Sequence, residues 1–410
     1  MNLDIVDRVN SLIRKSILTN MNPNSFEYKS TYISHDDVWF STPINTFDKI
    51  VTDLIESDTD LKNSVSNEGA YALLLDLVYE YKKNEFIITK ENSLQLLEAV
   101  KSKPICEWVV FHKLFGLTIS RDTPAVAGNF CFYNYHMFRK HIREFLSENN
   151  DNCVDLCLNR FSEKDNIVST VVYARDSSKA KEIAYQRFDA LQNILRFFVS
   201  YWNLTFFDIG ITNYKKHEID TCIALCGDTL HFSNESLGKI HQIDFDDFQN
   251  HFITHEFSPV GVIEKYCKED KNQIEKKIMT AISLLGRAVY DMGKPISFLQ
   301  SMMAIEALIQ VNTNHLVNQS ITAQIAEYSA FLLEDNCEKR IAVEKLMKKL
   351  YKIRSSLAHG SSTECSLEDC TEVLCNARDL IVVFFDNDEI KDFSEPRELQ
   401  EYIQKLKYRA

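Results

Sequence analysis

The sequence is poor in glycine and proline, with 10 and 7 among its 410 residues. Both residues mark tight turns and helix ends, so their scarcity favours long helices over a turn-rich β fold. No uninterrupted apolar run approaches the ~20 residues that a membrane-spanning helix needs. The opening "MNLDIVDRVNSLIRK" lacks the order of charge, apolar core and small-residue cleavage site of a secretory signal. We therefore expect a mainly helical, cytoplasmic protein without a membrane segment.

The chain also lacks the positive charge typical of nucleic-acid-binding proteins. Its net charge is −13, while its 45% hydrophobic and 26% charged content is ordinary for a globular protein. An acidic chain gains nothing from bulk attraction to a phosphate backbone. Any nucleic-acid ligand must therefore be bound through a local basic patch.

Cysteine spacing gives little support for a metal site. Among 11 cysteines, Cys153 with Cys157 and Cys222 with Cys226 share a spacing that structural zinc sites permit. No turn-forming residues surround these pairs, however, and "CIALC" has the composition of a buried apolar segment. In a cytoplasmic protein we expect reduced thiols.

A histidine pair, His251 and His255, has one-turn spacing on a predicted helix. The glutamate of an H-E-x-x-H zinc motif is missing between them. We therefore predict neither a metal site nor a cofactor.

Residues 1–258 combine helical and strand patterns. Helices are predicted over 68–83, 93–103 and 136–148 from their apolar periodicity. The β-branched run 166–174 predicts a strand, and the helix that follows it, 179–202, can be capped by Asp176. "FFDIGI" (206–211) and "DTCIALCG" (220–227) are further strand candidates. We expect an α+β region with a small sheet, with a second division near residue 150 left open.

Residues 259–410 change to an almost purely helical pattern after "HEFSPVG" (255–261). We predict a helical bundle and read its domain boundary at 258/259. Ser394 is the predicted N-cap of the last helix, and Pro295 and Pro396 suit first turns. The predicted helices cover about 262–291, Pro295–311, 320–333, 337–359, 366–385 and a short segment after Ser394.

The helix predicted over 337–359 carries both an apolar and a basic face. Its apolar seam repeats at spacings of 3, 4, 3 and 4, which indicates lengthwise packing against other helices. The seam residues are Val343, Leu346, Leu350, Ile353 and Leu357. The basic residues are Lys339, Arg340, Lys345, Lys348, Lys349, Lys352 and Arg354, with Glu344 the one acid in that span. This face is either an ordinary solvated surface or the local patch that phosphate binding requires.

At the end of this helix, "YKIRSSLAHG" (351–360) places Arg354 beside the seam and His359 just before Gly360. Histidine followed by glycine is a common helix stop. At 100° per residue, His359 lies about 140° round the axis from Arg354. The two side chains can converge only if the helix ends between them or if two chains share the cleft.

The same residue types suit a specific chemistry. A histidine that titrates near neutral pH acts as general acid or base. An arginine beside it can bind a phosphodiester and stabilise charge that develops on its oxygens. Together they suffice for metal-free RNA cleavage by attack of the 2′-hydroxyl on its own phosphate.

"YKIRSSLAHG" resembles the R-x4–6-H signature of HEPN ribonuclease domains. Its form, Tyr-x-x-Arg-Ser-x-x-x-His-Gly on a long helix, is similar to the Apea-like HEPN group, as is "FLQSMMAIEALIQ" (298–310). The resemblance covers residues 260–410. The stretch 171–197 loosely resembles the region that precedes such domains in bacterial phage-defence proteins. Many HEPN nucleases carry Asn, Asp or His directly after the arginine; here Ser355 occupies that place, as the Apea-like form allows, and a serine can still form a hydrogen bond.

The resemblance implies a role for each site residue. Arg354 would bind the scissile phosphate, His359 would be the acid or base, and Glu306 would orient Arg354 across the bundle. Lys345, Lys348, Lys349 and Lys352 would line the approach for RNA. Family members usually form homodimers with the two motifs facing one another, which would supply the shared cleft.

The implied function is a metal-independent HEPN endoribonuclease of bacterial anti-phage defence (abortive infection) that cleaves RNA such as tRNA. Residues 1–258 would then be a sensor that receives a phage-derived trigger. Two alternatives remain open from the sequence. One is a non-catalytic HEPN module for dimerisation or RNA binding, and the other is the toxin of a toxin–antitoxin or nucleotide-sensing system.

Overall fold

We describe the chain from a computed structural model. The structure describes residues 3–19, 30–35, 38–87, 89, 98, 100–145, 151–202, 207–214, 220–226, 229–235, 241–252, 254, 256–311, 320–360 and 364–408. The chain is mainly helical, with a small four-stranded antiparallel sheet in its N-terminal half and a helical region at its C-terminal end. The predicted fold class is confirmed.

In chain order, the helices of the N-terminal half are α1 (Leu3–Lys15), α2 (Ile44–Glu56), α3 (Thr59–Ser64), α4 (Asn67–Lys83), α5 (Tyr135–Phe145), α6 (Asp151–Leu158) and α7 (Ser177–Val199). Those that follow are α8 (Phe245–Asn250), α9 (Pro259–Cys267), α10 (Gln273–Tyr290), α11 (Pro295–Ile309), α12 (Ile321–Leu333), α13 (Cys337–Ala358), α14 (Leu367–Asp386) and α15 (Pro396–Tyr408). The strands are β1 (Ile17–Thr19), β2 (Ser30–His35), β3 (Val38–Pro43), β4 (Cys106–Leu114), β5 (Leu117–Thr118), β6 (Ala125–Ala127), β7 (Phe130–Asn134), β8 (Asn166–Ala174), β9 (Asp220–Cys226), β10 (Thr229–Glu235) and β11 (Ile243–Asp244).

Helices α1, α2 and α4 share one apolar core. Leu12, Phe47, Leu54 and Leu74 are among its fully buried side chains. Helix α4 begins where Ser66 accepts a hydrogen bond from the N–H of Gly69, as an N-cap should. The helix predicted over 68–83 is therefore confirmed.

The small sheet has the strand order β4-β8-β7-β6. Strand β8 is an inner strand and is buried along most of its length, which explains its run of β-branched residues. Its bounds match the predicted strand. Asp176 then accepts a hydrogen bond from the N–H of Lys179 at 2.8 Å, so the predicted cap of helix α7 is confirmed.

The strand predicted for 206–211 is wrong over its described part. Gly210 forms one isolated bridge with Phe115 and continues into no strand. Side chains satisfy this backbone instead: Arg196 donates to the carbonyl of Ile209, and Asp208 accepts from the N–H of Ile209. A segment whose polar groups are bound by side chains needs no neighbouring strand. The candidate strand at 220–227 is confirmed as β9, and most of the predicted helix 93–103 lies outside the described residues.

In the C-terminal region, α11 is the inner helix and packs against α10, α12, α13 and α14. Pro295 is its first residue, as predicted. Helices α12, α13 and α14 also match the predicted helices to within a residue or two. The burial of α11 on most sides explains why its sequence is apolar nearly all round.

The helix predicted over 262–291 is two helices, α9 and α10. Asn272 begins the second one with a capping box: it accepts from the N–H of Glu275, whose side chain accepts from the N–H of Asn272. A cap of this kind accepts hydrogen bonds from N–H groups that would donate to carbonyls of the preceding turn if the helix were continuous. The polar stretch before Asn272 is therefore a break between helices.

Ser394 was also predicted wrongly as an N-cap. Its hydroxyl donates to Glu398, and the same carboxylate accepts from the N–H groups of Ser394 and Glu395. These backbone hydrogen bonds lower the pKa of Glu398. Pro396 does begin the helix, as predicted.

By compactness the chain divides into two units, residues 1–110 with 170–186 and residues 111–169 with 187–410. The C-terminal helices thus belong to a unit that includes part of the N-terminal half. The domain boundary predicted at 258/259 stays a prediction. Among the described residues, no helix combines the length and the apolar character that a membrane crossing requires.

Candidate active site

The structure brings Arg354 and Glu306 together. Arg354 lies about one turn before the end of α13 and Glu306 lies in the last turn of α11, and these two helices pack side by side. The Nε atom of Arg354 lies 3.0 Å from Oε1 of Glu306, and Nη2 donates to Oε2 at 3.3 Å. The side chains are 27% and 16% exposed, respectively. The pair is therefore half-buried at the edge of the bundle.

This ion pair is incompletely hydrogen-bonded. Nε of Arg354 and Oε1 of Glu306 are both buried, and although they lie within ion-pair distance, their alignment is too poor for a hydrogen bond. Within the described chain, Nη2 is the one guanidinium nitrogen that donates a hydrogen bond. Arg354 therefore retains N–H groups that could donate hydrogen bonds to the oxygens of a phosphate. Its guanidinium carbon also lies 5.7 Å from the centre of the Tyr351 ring.

His359 forms the end of α13. It is the C-cap residue, and its N–H donates to the carbonyl of Ser355 at 3.0 Å. Gly360 follows with φ +72°, the left-handed conformation that glycine adopts most readily. The predicted helix stop is confirmed. The His359 side chain is exposed to solvent.

By ideal helix geometry, Arg354 and His359 point to different faces of one chain. Helix α13 ends at Ala358, so the helix does stop between the two residues, but only one residue before His359. Their directions differ by about 140° on a helix of 100° per residue. Both arrangements that the sequence allowed, convergence at the helix stop and a cleft shared between two chains, therefore stay predictions. Ser355 is partly buried beside Arg354.

The four predicted RNA-binding lysines, Lys345, Lys348, Lys349 and Lys352, are all exposed on α13. Two of them have acidic partners. Lys348 pairs with Glu344 on the same helix. Lys345 and Lys352 have no acidic side chain within 4.0 Å among the residues described.

Lys349 is bound from another helix. Its Nζ lies 2.9 Å from Asp369 and 3.5 Å from Glu372, both on α14. The hydrogen bond to Asp369 raises the pKa of Lys349, and the pKa of Asp369 is lowered by Ser366 and Lys349. The sequence pattern counted Glu344 as the sole acid and missed these two carboxylates, because they lie far along the chain. The positive charge of the basic face is consequently smaller than the number of its lysines suggests.

The apolar seam of α13 is only partly buried. Leu350 is fully buried, whereas Val343, Leu346, Ile353 and Leu357 keep some exposure. Met347, which the heptad-like spacing omits, is buried instead. The helix thus contributes a narrow stripe of side chains to the core, and the seam residues on either side of this stripe stay partly exposed to solvent.

Sequence reasoning missed Lys277. Its Nζ donates to the carbonyls of Ala307 and Gln310 at 2.8 and 2.7 Å. These carbonyls belong to the end of α11, next to Glu306. Burial lowers the pKa of Lys277. A lysine whose partners are backbone atoms of another helix leaves no sequence pattern by which it could be found.

Helix α11 exposes an apolar stripe on the side that carries Glu306. Ile296 and Met303, seven residues apart, are 45% and 46% exposed. Leu299 and Ala307, on the same side, are partly exposed. An exposed apolar stripe on an otherwise buried helix is typical of an interaction surface.

Among the described residues, no group of three or more His, Cys, Asp or Glu side chains is arranged to hold a metal ion. His251 packs against Trp202. The side chains of Cys153, Cys222, Cys226 and His255 lie outside the described ones.

No family model, no curated protein and no solved structure matches the chain.

Proposed function

We propose that the chain is a HEPN-type endoribonuclease that cleaves RNA without a metal ion. The observation that carries the proposal is the pairing of Arg354 with Glu306, next to a helix end that presents His359. Glu306 holds the guanidinium in one place and leaves part of its donors unused. His359 is in solvent, where it can exchange protons.

In the proposed reaction, Arg354 binds the non-bridging oxygens of the scissile phosphate. His359 takes the proton of the 2′-hydroxyl, which attacks the phosphorus, or gives a proton to the departing 5′-oxygen. The products are a 2′,3′-cyclic phosphate and a 5′-hydroxyl. Lys345 and Lys352, which lack acidic partners among the described residues, would contribute most to attraction of the RNA.

We infer that the complete site needs a second copy of the chain. Arg354 and His359 point about 140° apart on one helix, so one copy would supply the arginine and the other the histidine. The exposed stripe with Ile296 and Met303 lies on the side of Glu306 and suits the contact between copies. A dimer of this kind would bury apolar surface that one chain leaves in water.

Mixing variants tests the shared site. Arg354→Ala and His359→Ala should each be inactive on a pool of tRNA and other cellular RNA, in buffer with a metal chelator. After subunit exchange, a mixed dimer contains one site with both residues intact, so cleavage should recover. No recovery in a confirmed mixed dimer would contradict the shared site. Cleavage by His359→Ala at the wild-type rate would contradict the nuclease proposal itself.

A second candidate function is a non-catalytic HEPN module for dimerisation or RNA binding. The observation in its favour is that the acids Glu306, Glu344 and Asp369 neutralise much of the motif and its basic face. Two results together would favour this candidate. RNA should remain uncleaved in the presence of wild-type protein, and the protein should bind RNA with an affinity that Lys352→Ala lowers.

The proposed cellular role in anti-phage defence rests on the resemblance. Infection of cells that express wild type or His359→Ala tests it. Protection and RNA breakage with wild type alone are expected. Breakage and growth arrest without infection would instead favour the toxin alternative.

A further inference from the structure

Cys365 and Cys370 form a close thiol pair at the start of α14. Their Sγ atoms lie 3.3 Å apart. Cys370 is completely buried, and Cys365 is partly exposed. Both thiols are free.

Local structure explains why these residues meet. Ser366 is the N-cap of α14, and its hydroxyl accepts from the N–H of Asp369. Cys365 therefore holds the N′ position and Cys370 the N4 position. Apolar side chains at these two positions often pack together and fix the angle at which the chain enters the helix. Here both members of this contact are thiols.

The two sulfurs lie close enough for a short movement to join them in a disulfide. The bond requires an S–S distance of about 2.0 Å, so the two sulfurs must approach by about 1.3 Å. Cys365 precedes the helix and lies in neither a helix nor a strand, so its backbone has no ladder of hydrogen bonds to break. Cys365, one residue before the cap, can therefore supply the required movement.

We propose that Cys365 and Cys370 are an oxidation site at which a hydroperoxide forms an intramolecular disulfide. The Cys365 thiolate attacks one peroxide oxygen, which breaks the O–O bond and gives a sulfenic acid and hydroxide. The thiol of Cys370 then attacks the Cys365 sulfur, and the sulfenic oxygen leaves as water. With the proton of Cys365 included, two thiols and one hydrogen peroxide give one disulfide and two waters.

The two cysteines differ in the part they can take. Burial raises the pKa of Cys370 to about 12, and its thiol also contacts the carbonyl of Lys294. A thiol that stays protonated and buried reacts slowly with a peroxide. The partly exposed Cys365 is therefore the first to react, and Cys370 resolves the sulfenic acid. Disulfides of cytoplasmic proteins are usually transient ones of this type.

The tryptic peptide 355–378 contains both cysteines and, as an internal control, Cys375. Full-length reduced protein is treated with hydrogen peroxide, remaining thiols are alkylated, and the peptide is analysed by mass spectrometry. We expect a form with two hydrogens fewer and a single alkyl group on Cys375. Dithiothreitol should restore three alkylation sites. The exposed Cys106 and Cys337 report that peroxide reached the protein.

Variants assign the steps. In Cys370→Ser, a dimedone adduct should accumulate on Cys365, whereas in Cys365→Ser, Cys370 should remain reduced. Cys375→Ser should leave the disulfide unchanged. The proposal would be overturned if peroxide oxidises Cys106 and Cys337 of the wild-type protein while Cys365 and Cys370 can still be alkylated. A disulfide from Cys365 to Cys375 would also overturn it. The wild-type measurement needs no variant and so does not depend on whether Cys370→Ser folds.

Discussion

Arg354 and His359 lie five residues apart, yet their surroundings differ. Arg354 is half-buried and pairs with Glu306 on the neighbouring helix. His359 is exposed, and its described hydrogen bonds are those of its backbone N–H to Ser355 and Leu357. One residue is part of the packing of the bundle, and the other is attached to its end.

Because of this difference, substitutions at the two positions should have different effects on stability and on activity. Loss of Arg354 or Glu306 removes a partner from a half-buried charge, so it changes stability together with any activity. Loss of His359 removes a side chain that binds nothing in the described structure, so it should change activity alone. Five predictions test this contrast, from the largest expected effect on stability to the smallest.

Glu306→Ala should lower the free energy of unfolding by about 1–3 kcal/mol, because it leaves the half-buried Arg354 without its counter-ion. Urea unfolding measures this as a lower midpoint with an unchanged slope. The matched control is Glu344→Ala, which breaks the exposed pair with Lys348 and should change stability by at most about 0.5 kcal/mol. Equal losses in the two variants would show that Glu306 is an ordinary surface residue.

Lys277→Met should lower the free energy of unfolding by about 1–2 kcal/mol, because two carbonyls at the end of α11 lose their donor. Lys276→Met, an exposed neighbour on α10, is the control and should have little effect. A normal unfolding midpoint for Lys277→Met would show that solvent replaces the lysine without loss.

The Lys277 contribution should also depend on pH. Burial lowers the pKa of Lys277 in the folded state, so between the folded value and the unfolded value of about 10.4 the unfolded chain binds more protons. The stability of wild type relative to Lys277→Met should therefore rise with pH through this interval. A difference that falls over the same range would have the wrong sign.

Gly360→Ala should lower the free energy of unfolding by about 1 kcal/mol, because φ +72° is unfavourable for a residue with a Cβ. A Cβ at this position would contact nothing within 4 Å, so the effect comes from the backbone alone. Gly360→Asn should lose less, since asparagine tolerates the left-handed region. Equal losses for alanine and asparagine would point to another cause.

His359→Ala should change the free energy of unfolding by less than about 0.5 kcal/mol, as expected for an exposed side chain. Thermal and urea unfolding should therefore match wild type while RNA cleavage is lost. A variant that unfolds easily would place His359 in the packing and weaken the contrast with Arg354.

Much of the fold could be predicted from residues close together in the chain. The cap at Asp176, the strand at 166–174 and the helix stop at His359 and Gly360 all depend on local hydrogen bonding and backbone conformation. The errors have the same origin. Asn272 was missed as a helix start within a continuous apolar pattern. Ser394 was assigned to a cap, although its hydroxyl donates to Glu398, which also accepts from the N–H groups of Ser394 and Glu395.

The site could be predicted only in part. The contact between Glu306 and Arg354 was expected from a family resemblance and is present. The carboxylates that neutralise Lys349 and the lysine that binds the end of α11 were not expected. Their partners lie on other helices, and spacing along one helix carries no information about them.

By itself, the sequence determined where α13 ends. Glycine adopts a positive φ readily, so Gly360 ends the helix and His359 becomes its C-cap residue. It also determined that Arg354 and His359 point in different directions, since that angle follows from the helix repeat. Only the tertiary structure brings Glu306 to Arg354 and the carboxylates of α14 to Lys349. Packing brings these side chains within a few ångströms of each other, and at that distance charge and chemistry take effect.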